Sequence, residues 1–415
     1  MGRRFIPTII VMAVAAFAVA AVALAFVADE PRLWSAAVAL IVLGGITPMI
    51  YAVNVRIVPV FSRRQWVNPT QVYAAISAGV AGGWLVFLGR WLDEAWVERA
   101  GHGLALIGGA LFVASLIRLF TSEPVTKVAP PLPFPEQAAI DKIGISFTRM
   151  AGMYLLLGLA VGLMMTFWTP DRGRWELVWA HAMLLGWFLQ MVAGVCYHVL
   201  SRWTGARWQS PQRIRWHLLT VTLGLPAMVA ALALDLDWLF AVAGPLQAIA
   251  LGLFVWNIAP LVLRMPSLSR LGMLLAAGFL VVGITIGASA ALDPANGIRL
   301  RFSHATINLL GFAGLLICGV GYYLFPRLAG QALRWPRLAT IQIAAHASGV
   351  ALVAAAWWYQ LAVDDGAQPL ITAGALLVAA GFAVFGGIVA ATFQGSGRGV
   401  VAGVSLQPRR SPQGR

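Results

Sequence analysis

The chain has 415 residues, of which 60% are hydrophobic and 11% charged. That leaves too little polar surface for a water-soluble domain and places the protein in a bilayer. Its formal net charge of +14 would suit a nucleic-acid partner, but the positions of the charges give them a different origin.

Apolar runs long enough to cross a hydrocarbon core of about 30 Å fall, in chain order, at Phe5 to Val27, Leu33 to Val55, Thr70 to Leu88, Gly101 to Phe120, Met150 to Trp168, Leu177 to Leu200, Trp216 to Leu234, Leu239 to Leu263, Leu271 to Ala291, Phe302 to Phe325, Leu338 to Trp358 and Leu370 to Ala391. They predict an all-α integral membrane protein of twelve transmembrane helices. The first run follows Arg3 and Arg4 and resembles a signal peptide, but it is long for one and completes the even count, so it is read as the first span. With the N-terminus in the cytoplasm, only Arg32, Arg90, Arg99, Arg172, Arg174, Arg299 and Arg301 among the basic residues fall outside, and most acids fall outside with them. The excess of positive charge is then a topology signal, expected for a bacterial-type inner membrane with both termini cytoplasmic, and no nucleic acid is needed to explain it.

The organisation expected is residues 1–125 for helices 1 to 4, a proline-rich cytoplasmic linker at 126–142, residues 143–265 for helices 5 to 8, residues 266–393 for helices 9 to 12, and a glycine-rich, basic, disordered tail at 394–415. An internal repeat supports three blocks of four helices. The stretch from His181 to Gly205 maps onto that from Arg301 to Gly330 at one constant offset, which carries Gly186 onto Gly311, Gly194 onto Gly319, Tyr197 onto Tyr322, Arg202 onto Arg327 and Gly205 onto Gly330. A looser copy runs through helix 2, with Gly44, Gly45, Arg56 and Pro59. Cys196 and Cys318 lie inside predicted helices and read as buried thiols. Tryptophans cluster near the outer helix ends, where headgroup anchoring accounts for them. No Asp, Glu or Lys falls in the middle of a span, and a transporter with a broken, charged helix is disfavoured.

The 6 histidines are the candidate chemistry. His198 and His217 flank a cytoplasmic loop and read as interfacial hydrogen-bonding residues, and His346, deeper in helix 11, reads as an interhelical one. His102, His181 and His304 each fall within the first turns of a helix that enters from outside, at similar depth. A histidine there is either hydrogen-bonded inside the bundle or a ligand to a metal or heme iron. His102, beside Glu98 and Arg99, suits a rim position. For His181 and His304 the ligand role comes first.

The run from His304 to Gly330, with H-A-T, L-L-G-F and G-x-G-Y-Y-x-x-P-R-x-x-G, resembles helix 10 of subunit I of the heme-copper oxidases, nearest to cbb-type cytochrome oxidases and nitric oxide reductases. Trp179 to Tyr197 resembles their helix 6, and twelve helices in three four-helix blocks are similar to that subunit I fold. The resemblance implies that His304 binds the high-spin heme. The low-spin heme ligands fall at Thr306 and near Ser35, and so are lost. His181 takes the place of one copper ligand, but the helix 7 run after His217 has no histidine pair and no tyrosine, so copper is not expected.

What remains implied is a membrane protein holding one b-type heme. His304 and His181 would be iron ligands or neighbours, His102 would be close by, and Arg299 and Arg301 would meet the propionates. It would handle electrons or a diatomic gas such as O2 or NO in a respiratory context, alongside cytochrome or respiratory-complex subunits. If it is an enzyme, it is a cytochrome oxidase-like oxidoreductase without a complete heme-copper centre. Two other readings stay open: a cofactor-free structural subunit of a respiratory membrane complex, and a member of the NnrS family of nitric-oxide-response membrane proteins, whose aromatic and His-Glu-Met signatures are not found here.

Overall fold

A computed structural model of the protein describes residues 4–27, 30, 32–125, 132–168, 171–362 and 366–394. Among them are 12 helices long and apolar enough to cross a membrane: α1 Phe5–Ala25, α2 Arg32–Ser62, α3 Pro69–Leu92, α4 Ala95–Thr121, α5 Gln137–Met164, α6 Arg172–Thr204, α7 Pro211–Leu234, α8 Asp237–Val262, α9 Ser267–Leu292, α10 Ala295–Ala329, α11 Pro336–Leu361 and α12 Gln368–Gln394. There is no strand among the described residues. The protein is a multi-pass membrane protein of the all-α class.

The helices outrun their apolar centres. Hydropathy sees only the lipid-facing middle of a span, while backbone hydrogen bonding carries each helix into the polar interface until a cap stops it. Thus α5 begins at Gln137, so that the last residues of the expected linker, Gln137 to Lys142, are helical rather than extended. The first part of that linker, Thr126 to Pro131, and the expected tail beyond Gln394 lie outside the described residues, as does Arg3. The stops follow local chemistry. Asn68 and Ser210 cap the starts of α3 and α7 through their side chains. Gly205 and Gly330 end α6 and α10 in the left-handed region, both at φ 65°.

The chain runs round a closed ring in which each helix packs on the next and α1 returns to α12. Gln368 Nε2 donates to the Ala25 carbonyl at 3.1 Å across that seam. Three helices sit inside the ring. The central windows of α2, α6 and α10 are 83%, 72% and 94% buried, against 28% to 61% for the other nine. They touch one another: Trp187 Nε1 donates to Thr47 Oγ1 at 3.1 Å, the rings of Phe188 and Phe312 lie 5.7 Å apart, and those of Trp34 and Phe302 4.5 Å apart.

Each inner helix contains a π-helical segment, Leu40–Ile46 in α2, Ala182–Phe188 in α6 and Ile307–Gly314 in α10. In the last two the segment starts at positions related by the sequence offset. The wider turn withdraws carbonyls from the normal ladder, and the same one is taken by a side chain in both copies, from α6 itself in the first and from α11 in the second. Gln190 Nε2 donates to the Leu185 carbonyl at 2.7 Å, and His346 Nε2 donates to the equivalent Leu310 carbonyl at 2.9 Å.

Contacts repeat at the offset as well. Tyr154 fills the notch at Gly186 as Phe279 fills that at Gly311, and Met183 covers Gly158 as Asn308 covers Gly283. The Tyr197 hydroxyl pairs with His217 Nδ1 at 2.8 Å, and Tyr322 donates to Gln342 Oε1 at 2.9 Å. Arg202 and Arg327 each donate to the carbonyl four residues back, on His198 and Tyr323.

Candidate functional site

α6 and α10 carry His181 and His304 two positions out of step, the repeat setting His304 level with Trp179 and His181 level with Thr306. The two imidazoles lie within electrostatic reach of each other. Each is anchored by a backbone carbonyl. His181 Nδ1 meets the Leu177 carbonyl at 2.7 Å, one turn back on its own helix. The nitrogen donating there is Nδ1, which leaves the Nε2 lone pair free. The His304 ring bonds to the Gly283 carbonyl of α9. It can lie flat on that helix because Gly287 has no side chain, and a Cβ there would stand 3.0 Å from His304 Cε1. Asn308 holds the ring from the next turn, its Nδ2 donating to the His304 carbonyl at 2.8 Å and standing 3.4 Å from Nδ1.

Although α6 and α10 are among the most enclosed helices, both histidines keep accessible surface. On α6 the half-buried residues Ala180, His181, Leu184 and Leu185 form a strip, and on α10 His304, Ala305 and Asn308 do the same. Two carbonyl-anchored imidazoles on partly open faces suit a porphyrin iron, since the second-shell bond fixes ring orientation and raises basicity. They do not suit copper. No group of three His, Cys, Asp or Glu able to hold a metal ion occurs among the described residues, and a copper site of this kind needs three nitrogen donors.

The position implied for a second heme, near Ser35 and Thr306, is filled. Trp34, Phe302 and Trp357 pack there, with centroids 4.5 Å apart for Trp34 and Phe302 and 4.6 Å apart for Phe302 and Trp357. The void left, lined by Leu24, Trp34, Thr306 and their neighbours, measures about 10 Å³, room for no more than one water. A macrocycle does not fit.

Arg299 and Arg301 are exposed on the first turns of α10, the Arg301 guanidinium resting 4.7 Å over the Phe302 ring. His102 is fully buried between α4, α5 and α6, against Gly162 and Trp179. Trp179 and His181 are two positions apart on one helix and so point roughly 200° apart, which puts His102 on the side of α6 opposite His181. At the other end of the bundle His198 Nδ1 stands 3.1 Å from Asp141, and Asn257 Nδ2 donates to the Tyr197 hydroxyl at 3.2 Å.

A partly buried ion-pair network escaped the sequence reading, which treated its members as topology markers. Arg90 Nε meets Glu98 Oε1 at 2.9 Å, Arg172 Nη2 reaches the same oxygen at 2.6 Å, and Glu176 Oε1 lies 3.5 Å from Arg90 Nη1 and 3.3 Å from Arg172 Nε. The one signal available was the placement of Glu98, His102, Arg172 and Glu176 at successive turns of two neighbouring helices.

No family model matches the chain, and no curated protein is similar to it in sequence. Among solved structures, the cryo-EM structure of a heme-copper terminal oxidase dimer superposes on it with a TM-score of 0.71 at 12% identity, covering 97% of this chain and 86% of the oxidase chain. The fold is that of a heme-copper oxidase subunit I.

Proposed function

We propose that the protein is a membrane heme protein in which His304 would hold one b-type heme and His181 would stand beside it. The reading is nearest to the cbb-type oxidases and their nitric oxide reductase relatives, in a respiratory setting at a bacterial-type inner membrane with both termini cytoplasmic. Its main support is the approach of His181 and His304 to each other, each with one ring nitrogen toward a backbone carbonyl. Gly287 and Asn308 set the plane of His304, and the Leu177 carbonyl sets the tautomer of His181.

A bound heme would supply one-electron exchange and reversible binding of O2 or NO. The apolar residues Leu184, Leu185 and Ala305 beside the pair would exclude bulk water from it. A complete oxidase centre is not part of the proposal, since the copper ligands and the second heme position are both missing.

The test is an absorption spectrum and pyridine hemochrome assay on the protein purified in detergent. One heme b per chain is expected, with the Soret band lost in His304→Ala and shifted in His181→Ala. A colourless protein, or a Soret band unchanged in His304→Ala, refutes the proposal. The packed rings at Trp34, Phe302 and Trp357 favour a second reading, a cofactor-free structural subunit of a respiratory complex, and the colourless outcome would support it.

A further inference from the structure

The two histidines of the candidate site are held in different ways. The His304 ring bonds to the Gly283 carbonyl of a second helix, α9, so its place is set by a contact between helices. The hydrogen bond that orients His181 runs instead to the Leu177 carbonyl of its own helix. Where that imidazole points is therefore inherited from the rotation of α6, and whatever fixes the rotation also aims His181.

The outer end of α6 is a short piece in its own right. Its 10 residues Arg172–His181 are regular α-helix before the π segment Ala182–Phe188 interrupts them, and such widened turns are where helices bend. Within that piece Arg172, Glu176 and Trp179 recur at intervals of four and three and share one face. His181, nine positions beyond Arg172, lies about 180° round the axis. The face opposite the imidazole is the one that carries the charges.

Those charges are fastened to the α3–α4 hairpin. Arg172 Nη2 donates to Glu98 Oε1 at 2.6 Å, and Glu176 Oε1 lies 3.5 Å from Arg90 Nη1. Trp179 faces the same arginine, whose guanidinium lies 5.6 Å from its ring centre. The hairpin end makes a firm base. Arg90 and Glu98 pair at 2.9 Å with side chains 3% and 7% exposed, Gly89 lies against the Glu98 backbone, and Arg90 Nη1 also donates to the Ser35 carbonyl of α2 at 3.1 Å. Charge-assisted bonds are strong and directional, so a row of them along one face resists turning of the helix about its axis. An imidazole stands about 5–6 Å from that axis, and a turn of about 20° would carry it about 2 Å sideways. A ligand site tolerates about 0.5 Å.

We propose that Arg90 and Glu98 are positioning residues for His181: by gripping Arg172 and Glu176 they set the rotation of the outer end of α6, and with it the aim of the imidazole on the far side. The consequence for heme rests on the function proposed above, whereas the grip itself does not. His304, tied directly to α9, is independent of it.

The test separates the grip from the heme. Arg172→Gln combined with Glu176→Gln releases α6 and leaves the buried Arg90–Glu98 pair intact, so the fold is kept. Nitroxide labels on Leu177→Cys, exposed one turn before His181, and on Thr285→Cys, exposed on α9, are read by double electron–electron resonance in the full-length protein, where Cys196 and Cys318 are buried. The double variant is expected to shift or broaden the label distance by about 2 Å or more, and in heme-loaded protein to move the Soret maximum and the ferric g values. Arg172→Lys alone, which keeps a bond to Glu98, should leave both near their original values. Arg174→Gln, whose partners Asp171 and Asp235 are exposed, should change neither. An unchanged label distance in the double variant overturns the proposal with or without heme, as does an unchanged spectrum in heme-loaded protein. A colourless unsubstituted protein refutes the heme reading alone, and the label distance then decides.

Discussion

The α5–α6 and α9–α10 pairs are one piece of architecture built twice with different contents. Both have glycine notches on the odd-numbered helix at the same two levels. In the first pair Gly158 and Gly162 face Met183 and Trp179, and in the second Gly283 and Gly287 face Asn308 and His304. The notches match, while the thioether and indole that α6 sets against the first pair give way to an amide and an imidazole in the second.

The most severe way to break the comparison is to make the second pair resemble the first. His304→Trp should fold, because the Gly287 notch matches the one that already takes the Trp179 ring, and should lose the heme completely, read as loss of Soret absorbance at unchanged helical circular dichroism. If the band persists, the ligand lies elsewhere.

Next come the backbone crossings. A Cβ at Gly194 would lie 2.7 Å from the Gly144 carbonyl oxygen, and one at Gly319 would lie 2.9 Å from the Met273 nitrogen. Gly194→Val and Gly319→Val should each cost about 3 kcal/mol or more, measured by unfolding in mixed detergent. Similar losses at both sites would show that the two crossings carry similar loads.

Smaller effects separate the tyrosine pairs at the opposite end. Gln342→Leu leaves the Tyr322 hydroxyl without its partner and should cost about 1–3 kcal/mol. His217→Leu should cost less, about 1 kcal/mol, because Asn257 still donates to Tyr197. Exchanging the partners, with His217→Gln and Gln342→His together, should change stability least, by about 0.5 kcal/mol, since each tyrosine keeps a partner of comparable reach.

The repeat was legible because glycine, tyrosine and arginine landmarks survive at fixed spacing, and a helix count follows from hydropathy alone. Three inner helices were less visible, for burial inside a membrane bundle replaces lipid contact with protein contact and leaves average hydropathy nearly unchanged. The π segments had no signature beyond nearby glycines such as Gly44, Gly45, Gly186 and Gly311. The ion pairs of Arg90 were hidden for another reason. Its partners Glu98 and Glu176 come from two other helices, and a linear reading sees each only as a charge near a membrane face. His102 read as a rim residue from its neighbours Glu98 and Arg99, and only the packing reveals that it is buried and faces Trp179 rather than the His181 side of α6.

The widened turns in α2, α6 and α10 act as phase shifters. Each sets the angular origin of the half-helix beyond it, so in α10 the face carrying His304 and the face carrying Tyr322 are indexed separately. Removing one residue from Ile307–Gly314 would restore an ordinary turn and, because the wide turn takes up one residue more than an α turn, leave the two halves facing as before while the Leu310 carbonyl returned to the helix's own ladder. Loss of a single codon there would therefore release His346 from its bond without turning His304 away from Tyr322.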